Sequence, residues 1–130
     1  MRQNPTNRSD YNFFSRMGTR WNDNDIYGHL NNVIYYELFD TAVNKWLIEN
    51  NLIDIKNGNN IGLIVQSGCN YFSSFAYPEE IDAGIRVTKI GNSSVRYEVG
   101  LFKLNDDLAS ADGFFTVSYT HLTLPTICSV

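Results

Sequence analysis

Apolar residues change their spacing along the chain, and those changes divide it into elements. Residues 1–11 (MRQNPTNRSDY) are polar and offer little to bury, which predicts a loose leader. Short apolar–polar alternation over 13–21 predicts a first strand. Asn and Asp crowd residues 22–28 (NDNDIYG), where their side chains bond nearby backbone and favour turns. From 31 to 50 the period lengthens to that of a helix. Tyr35, Phe39, Ala42 and Trp46 recur on one face, supported by Leu38, Val43 and Leu47. Asn31 or Asn32 can cap the start, and Asn50-Asn51 suits the exit. Past a turn cluster at 56–60 (KNGNN) come strand candidates at 61–75, 81–90 and 93–103. A last apolar segment begins near Leu108 and runs through Phe114-Phe115.

Strand, long helix, then four strands joined by short turns is an α+β pattern. It predicts an antiparallel sheet with the helix packed on a single face. A length of 130 residues suits one domain. No apolar run approaches the ~20 residues that a membrane-spanning helix needs. The net charge of −4 argues against a general nucleic-acid binder, which needs a basic face to neutralise phosphates. Cys69 and Cys128 make neither a disulfide framework nor the paired spacing of a zinc site, and Cys69 reads as an inert thiol. The first ten residues lack the apolar stretch of a signal peptide, so the expected compartment is the cytoplasm.

The last segment reads differently from the rest. Residues 117–126 (VSYTHLTLPT) resemble the conceptual translation of a transposon-end adapter used for sequencing libraries. The expected domain is therefore 12–116, with 117–130 a non-native tail. Pairing past Thr116 is expected to be a short extension helped by Val117 and Tyr119 and ended by Pro125. His121 and Cys128 then carry no chemistry.

The densest chemistry lies in residues 19–42. Asp23, Asp25, His29, Gly28, Asn31 and Asn32 sit just ahead of the long helix or at its start. A helix N-terminus presents unpaired N–H groups and partial positive charge, which suit an oxygen developing negative charge. A carboxylate just upstream can then act as base or nucleophile, an arrangement suited to acyl transfer. A calcium loop fails, because Ile34 stands where a bidentate Glu is required. A glycosidase pair fails too, since residues two apart in a turn do not face each other across a sugar. His29 lacks companions for a metal site. Spacing alone leaves two readings open: a catalytic cluster, or a turn that merely caps a helix.

The run R-W-N-D-N-D-x-Y-G-H-x-N-N-x-x-Y-Y at 20–36 resembles the signature of hotdog-fold acyl-CoA thioesterases of the hydroxybenzoyl-CoA thioesterase-like group. Cys69-Asn70-Tyr71-Phe72, Pro78, Asp82-Ala83-Gly84 and the stretch 90–98 agree in order. The resemblance spans 13–116. It implies a sheet wrapped around the long helix, subunits paired edge to edge as a homodimer or homotetramer, and active sites at the subunit interface. It also implies hydrolysis of an acyl- or aroyl-CoA to free acid and coenzyme A, the latter being part of the substrate, with no separate cofactor or metal.

Carried onto this chain, the resemblance makes Asp25 the nucleophile or general base. The backbone N–H of Asn32 points at the thioester carbonyl. Gly28 lets the chain pass close to substrate, and His29 with Asn31 shapes the turn and orients Asp25. Ser93 and Ser94 match a segment that in relatives lies beside the pantetheine or nucleotide, or else form an ordinary turn between strands; apart from the resemblance, Arg86, Lys89 and Arg96 either meet the phosphates of coenzyme A or are simply solvated. Tyr27, Tyr35 and Phe72 either line the acyl pocket or belong to the core. Two other functions fit the same resemblance: a non-catalytic domain binding acyl thioesters or fatty acids, and a dehydratase relying on a His–Asp pair that would involve His29.

Overall fold

The structure, a computed structural model, describes residues 4–50 and 61–120. Five strands and one helix make the frame: β1 (Phe13–Met17), α1 (Asn32–Glu49), β2 (Ile61–Tyr71), β3 (Ile81–Ile90), β4 (Ser94–Lys103) and β5 (Ala111–Thr120). They form one antiparallel sheet in the order β1-β3-β4-β5-β2. No helix among the described residues is long and apolar enough to cross a membrane.

The helix period places the core as expected. Tyr35, Phe39 and Ala42 are buried, and Trp46 meets Tyr97 of β4 edge-on with ring centroids 6.2 Å apart. Alternation along β4 turns Val95, Tyr97, Val99 and Leu101 into the core that α1 covers. The helix packs over β3, β4 and β1, and β2 lies at the far edge of the sheet. Asn31 is the cap: its side-chain oxygen accepts the Val33 N–H at 3.1 Å.

Two strand limits differ from expectation. β1 stops at Met17, and residues Trp21–Asp23 wind into a single 3-10 turn instead. β2 stops at Tyr71 because the chain peels away: the Phe72 and Ser73 N–H groups both bond the Ser110 carbonyl, and Phe75 turns fully inward beneath Tyr35.

The expected loose leader is corrected for residues 4–11. Tyr11 is buried, its ring lying over Gly84 and Gly100, which face each other across β3 and β4. A β-carbon at Gly100 would stand 2.6 Å from that ring, so the missing side chains create the slot. Polar bonds complete the docking. The Arg8 guanidinium pairs with Asp82 at 3.0 Å and bonds the Lys103 and Asp106 carbonyls, while the Thr6 N–H donates to Asp112 at 3.2 Å. The segment read as polar because its single large buried anchor was one aromatic among many hydrophilic neighbours.

β5 continues past Thr116, with Val117 to Thr120 paired against Ile64 to Ile61 of β2. Val117 is buried against the core. His121, Pro125 and Cys128 lie outside the described residues.

Candidate active site

Asp23, Asn24 and Asp25 are consecutive, yet each holds a different partner. Asp23 is buried; its carboxylate accepts the Arg20 N–H at 2.8 Å and ion-pairs the Arg20 guanidinium at 3.0 Å. The Asp23 carbonyl accepts the Asn31 N–H at 2.8 Å, which fixes the approach to α1. Asn24 reaches the other way, its side-chain oxygen accepting the Tyr77 N–H at 3.0 Å. Asp25 points outward and is exposed. Its Oδ1 accepts the N–H groups of Tyr27 at 2.8 Å and His29 at 3.3 Å. Its Oδ2 carries no hydrogen bond among the described residues. Gly28 closes this turn at φ +80, a left-handed conformation that an L side chain adopts at a cost.

A helix start leaves its first N–H groups without intrahelical acceptors. Here the Asn31 side chain takes Val33 and the Asn31 carbonyl takes Ile34, at 3.1 and 2.9 Å. The Asn32 N–H has no acceptor among the described residues. Asp25, His29 and Asn32 line one cavity of about 320 Å³, together with Leu30, Tyr35, Tyr71 and the 72–74 segment. A second cavity of about 550 Å³ lies on another side of Asp25, bounded by Trp21, Asn22, Asn24, Ile26 and Gly28. Trp21, Ile26 and Tyr27 expose 73%, 91% and 79% of their surface, so the rim of the site is apolar and open.

Two tyrosines form the aromatic wall. The Tyr35 ring is buried and stands edge-on to Tyr71 with centroids 4.9 Å apart; its hydroxyl accepts the Phe75 N–H at 3.3 Å. Burial pushes both phenols above their ordinary pKa, so both stay protonated at neutral pH. Burial pushes the Cys69 thiol up to about 11, against formation of the reactive thiolate.

Asp25, His29 and Asn32 therefore come together, with Gly28 and Asn31 shaping the turn and the cap. Ser93, Ser94 and Arg96 do not join them within one chain. Ser94 pairs with Ser118 of β5, and Ser118 pairs with Leu63 of β2, whereas the cavity meets β2 at Tyr71. The eight residue-to-residue steps from 63 to 71 amount to about 27 Å of strand. Arg96 lies on the opposite sheet face from α1, 3.9 Å over the Phe114 ring and paired with Glu98. Arg86 is paired with the same carboxylate at 2.7 Å. Tyr27 is not a cavity wall; Tyr35 and Phe72 are. Sequence reasoning missed Tyr71, Ser73 and Ser74. Their signal was the end of an apolar run followed by Ser-Ser, which reads as a strand until the chain is seen to leave the sheet.

An antiparallel sheet of this order with one long helix and this turn ahead of it defines a hotdog-fold protein, and the chain belongs to the thioesterase superfamily, whose pattern it matches over residues 27–110. The crystal structure of the PA5185 protein of Pseudomonas aeruginosa is 50% identical, superposing with a TM-score of 0.85 over 90% of this chain and 81% of that one. The gentisyl-coenzyme A thioesterase BH1999 shares the fold at 19% identity, with a TM-score of 0.71 over 82% of this chain and 88% of its own. The Bacillus subtilis protein YsmA is 22% identical over 88 residues, which are 68% of this chain and 59% of YsmA, less than two thirds of that relative.

Proposed function

We propose that this chain is an acyl-CoA thioesterase, hydrolysing the thioester of an acyl- or aroyl-CoA to free acid and coenzyme A. The observation that carries the reading is that Asp25 and Asn32, whose N–H has no acceptor among the described residues, line one cavity at the start of α1. The helix end stabilises the oxyanion that forms at the thioester carbonyl. Asp25 has Oδ2 available, either to attack that carbonyl or to take a proton from the attacking water. Attack by Asp25 releases the thiolate and forms a mixed anhydride, which water then opens. The aromatic wall of Tyr35, Tyr71 and Phe72 accommodates the acyl group.

The second reading is a non-catalytic acyl-thioester binder, favoured by the two N–H bonds that Asp25 accepts inside its own turn. Thiol release from a panel of acyl- and aroyl-CoA substrates, with and without Asp25→Asn, separates the two. Hydrolysis that falls by about a hundredfold or more in the variant supports catalysis by Asp25. Equal rates in both would restore the turn-only role.

The site also has a place for a second copy. β2 bonds only β5, so its other edge is unpaired among the described residues. Twofold antiparallel pairing of two β2 edges would bring the Leu63 end of one copy toward the Tyr71 end of the other. The Ser93-Ser94 turn lies at that Leu63 end, which is how Ser93, Ser94 and Arg96 would serve a coenzyme A bound across the pair.

A further inference from the structure

Asn24 stands between two aspartates and serves neither of their roles. Its side-chain oxygen accepts the Tyr77 N–H at 3.0 Å. Among the described residues this is the only side-chain hydrogen bond from the 20–31 turn to the segment 72–77. That segment forms another wall of the Asp25 cavity through Phe72, Ser73 and Ser74. A second tie is made by backbone alone, the Leu30 N–H donating to the Phe75 carbonyl at 2.9 Å. Asn24 and Leu30 are themselves bridged across the turn. Asp25 is therefore slung between two anchor points on one neighbouring segment, with Asn24 immediately before it and Leu30 after it. Trp21 adds an edge-on contact to the Tyr77 ring at 6.1 Å.

The two N–H bonds inside the Asp25 turn fix the carboxylate relative to the turn, not relative to α1. The ties to segment 72–77, the Asn31 bond to the Asp23 carbonyl and the burial of Asp23 and Leu30 locate the turn as a body. Of the two ties to that segment, the Asn24 bond lies nearer Asp25 in sequence. We infer that Asn24 is a positioning residue: by clipping the turn to segment 72–77 it sets where the Asp25 carboxylate stands relative to the Asn32 N–H. The assignment rests on the reading of Asp25 as the reacting group, whereas the clip itself does not. A carboxylate displaced by about 1 Å loses on the order of a hundredfold in rate, so one hydrogen bond outside the reacting atoms has large leverage.

Asn24→Ala removes the acceptor, and Asn24→Asp keeps it. Each is measured at about pH 8. Asn24→Ala is expected to lower kcat about tenfold with KM within about twofold, and Asn24→Asp to keep kcat within about threefold of wild type. Amide exchange by NMR gives a readout that needs no turnover. In Asn24→Ala the Tyr77 amide should exchange about fivefold faster. The Leu30 and Asn31 amides, which Asn24 does not touch and which hold the turn to Phe75 and to the start of α1, should also lose protection, and Asn24→Asp should restore all three. Loss of protection at Tyr77 alone, with Leu30, Asn31 and kcat unchanged, overturns the inference. So does an Asn24→Asp variant as impaired as Asn24→Ala. A wild-type chain that hydrolyses no acyl-CoA refutes the proposed function instead, and the Leu30 and Asn31 amides then decide the clip.

Discussion

Asp25 and His29 hold each other through the main chain: the Asp25 N–H donates to the His29 carbonyl at 2.7 Å, and the His29 N–H returns to the Asp25 carboxylate at 3.3 Å. The His29 imidazole takes no part in this exchange, so a His–Asp side-chain pair of the kind a dehydratase uses is not formed here. His29→Ala should then keep kcat within about threefold, because alanine supplies the same backbone N–H and carbonyl. Gly28→Ala should cost about tenfold in kcat/KM. Nothing lies within 4 Å of a β-carbon there, so the penalty is the left-handed backbone and not a clash. Steady-state kinetics on the two variants checks the contrast. A hundredfold loss in His29→Ala would bring the imidazole into the reaction.

Tyr11 makes the N-terminal segment part of the domain. Replacing a buried aromatic by Ala typically costs about 3–5 kcal/mol, and Tyr11→Ala should fall in that range in urea unfolding. Its hydroxyl also couples stability to alkali. Burial pushes the Tyr11 pKa up from 10.0 to about 12, against the lowering effect of its 2.9 Å bond with Thr6. A raised folded pKa means that this contribution is complete below pH 10 and is lost as pH climbs toward 12. Tyr11→Phe should remove that alkaline dependence, which unfolding at pH 8 and pH 11 measures.

The helix and its buried stripe were legible because a 3.6 period repeats over five turns, and Tyr35, Phe39 and Ala42 all land inside. The Asp25 turn was legible because Asn, Asp and Gly have few other uses ahead of a helix. Two features were not. The Tyr11 slot exists only once the register sets Gly84 against Gly100, and register is a property of two strands that neither one carries alone. Ser93 and Ser94 matched a binding segment in order along the chain, but their distance from Asp25 follows from strand order. That order places β2 beside β5, not beside β3.

Glu98 gives the outer sheet face its sensitivity to acid. Burial works to raise its pKa, and the hydrogen bonds and charges of Arg86 and Arg96 more than reverse this, so its carboxyl lies below the ordinary value of 4.5. A lowered folded pKa contributes stability that is complete above about 4.5 and is lost as pH falls through the folded value. Glu98→Gln should therefore destabilise the domain by about 1 kcal/mol at pH 7, leaving two half-buried guanidinium groups short of a carboxylate. The difference from wild type should shrink toward zero in strong acid, below the folded pKa. Urea midpoints for the two proteins along a pH series test it, and a gap that stays constant would assign the loss to packing.

The β2 edge of the sheet is apolar. Leu63, Ile64 and Val65 expose 58%, 52% and 61% of their surface in succession, on a strand whose outer edge pairs with no other strand among the described residues. A long apolar edge of this kind invites strand addition, and a twofold axis lets two identical edges satisfy each other. The bulge between Ile64 and Gln66 interrupts the pairing with β5 and leaves Val65 without a partner there. Lysines at Leu63 and Val65 would keep β2 on β5 while placing like charges on the edge that a second copy must approach. Wild type should sediment as a dimer or larger at about 10 µM, and the Leu63→Lys, Val65→Lys double variant as a folded monomer. If the partner's Ser93-Ser94 turn serves coenzyme A, the monomer should also lose at least about tenfold in kcat/KM, mostly through KM. A wild-type monomer with full activity would show instead that one chain completes the site.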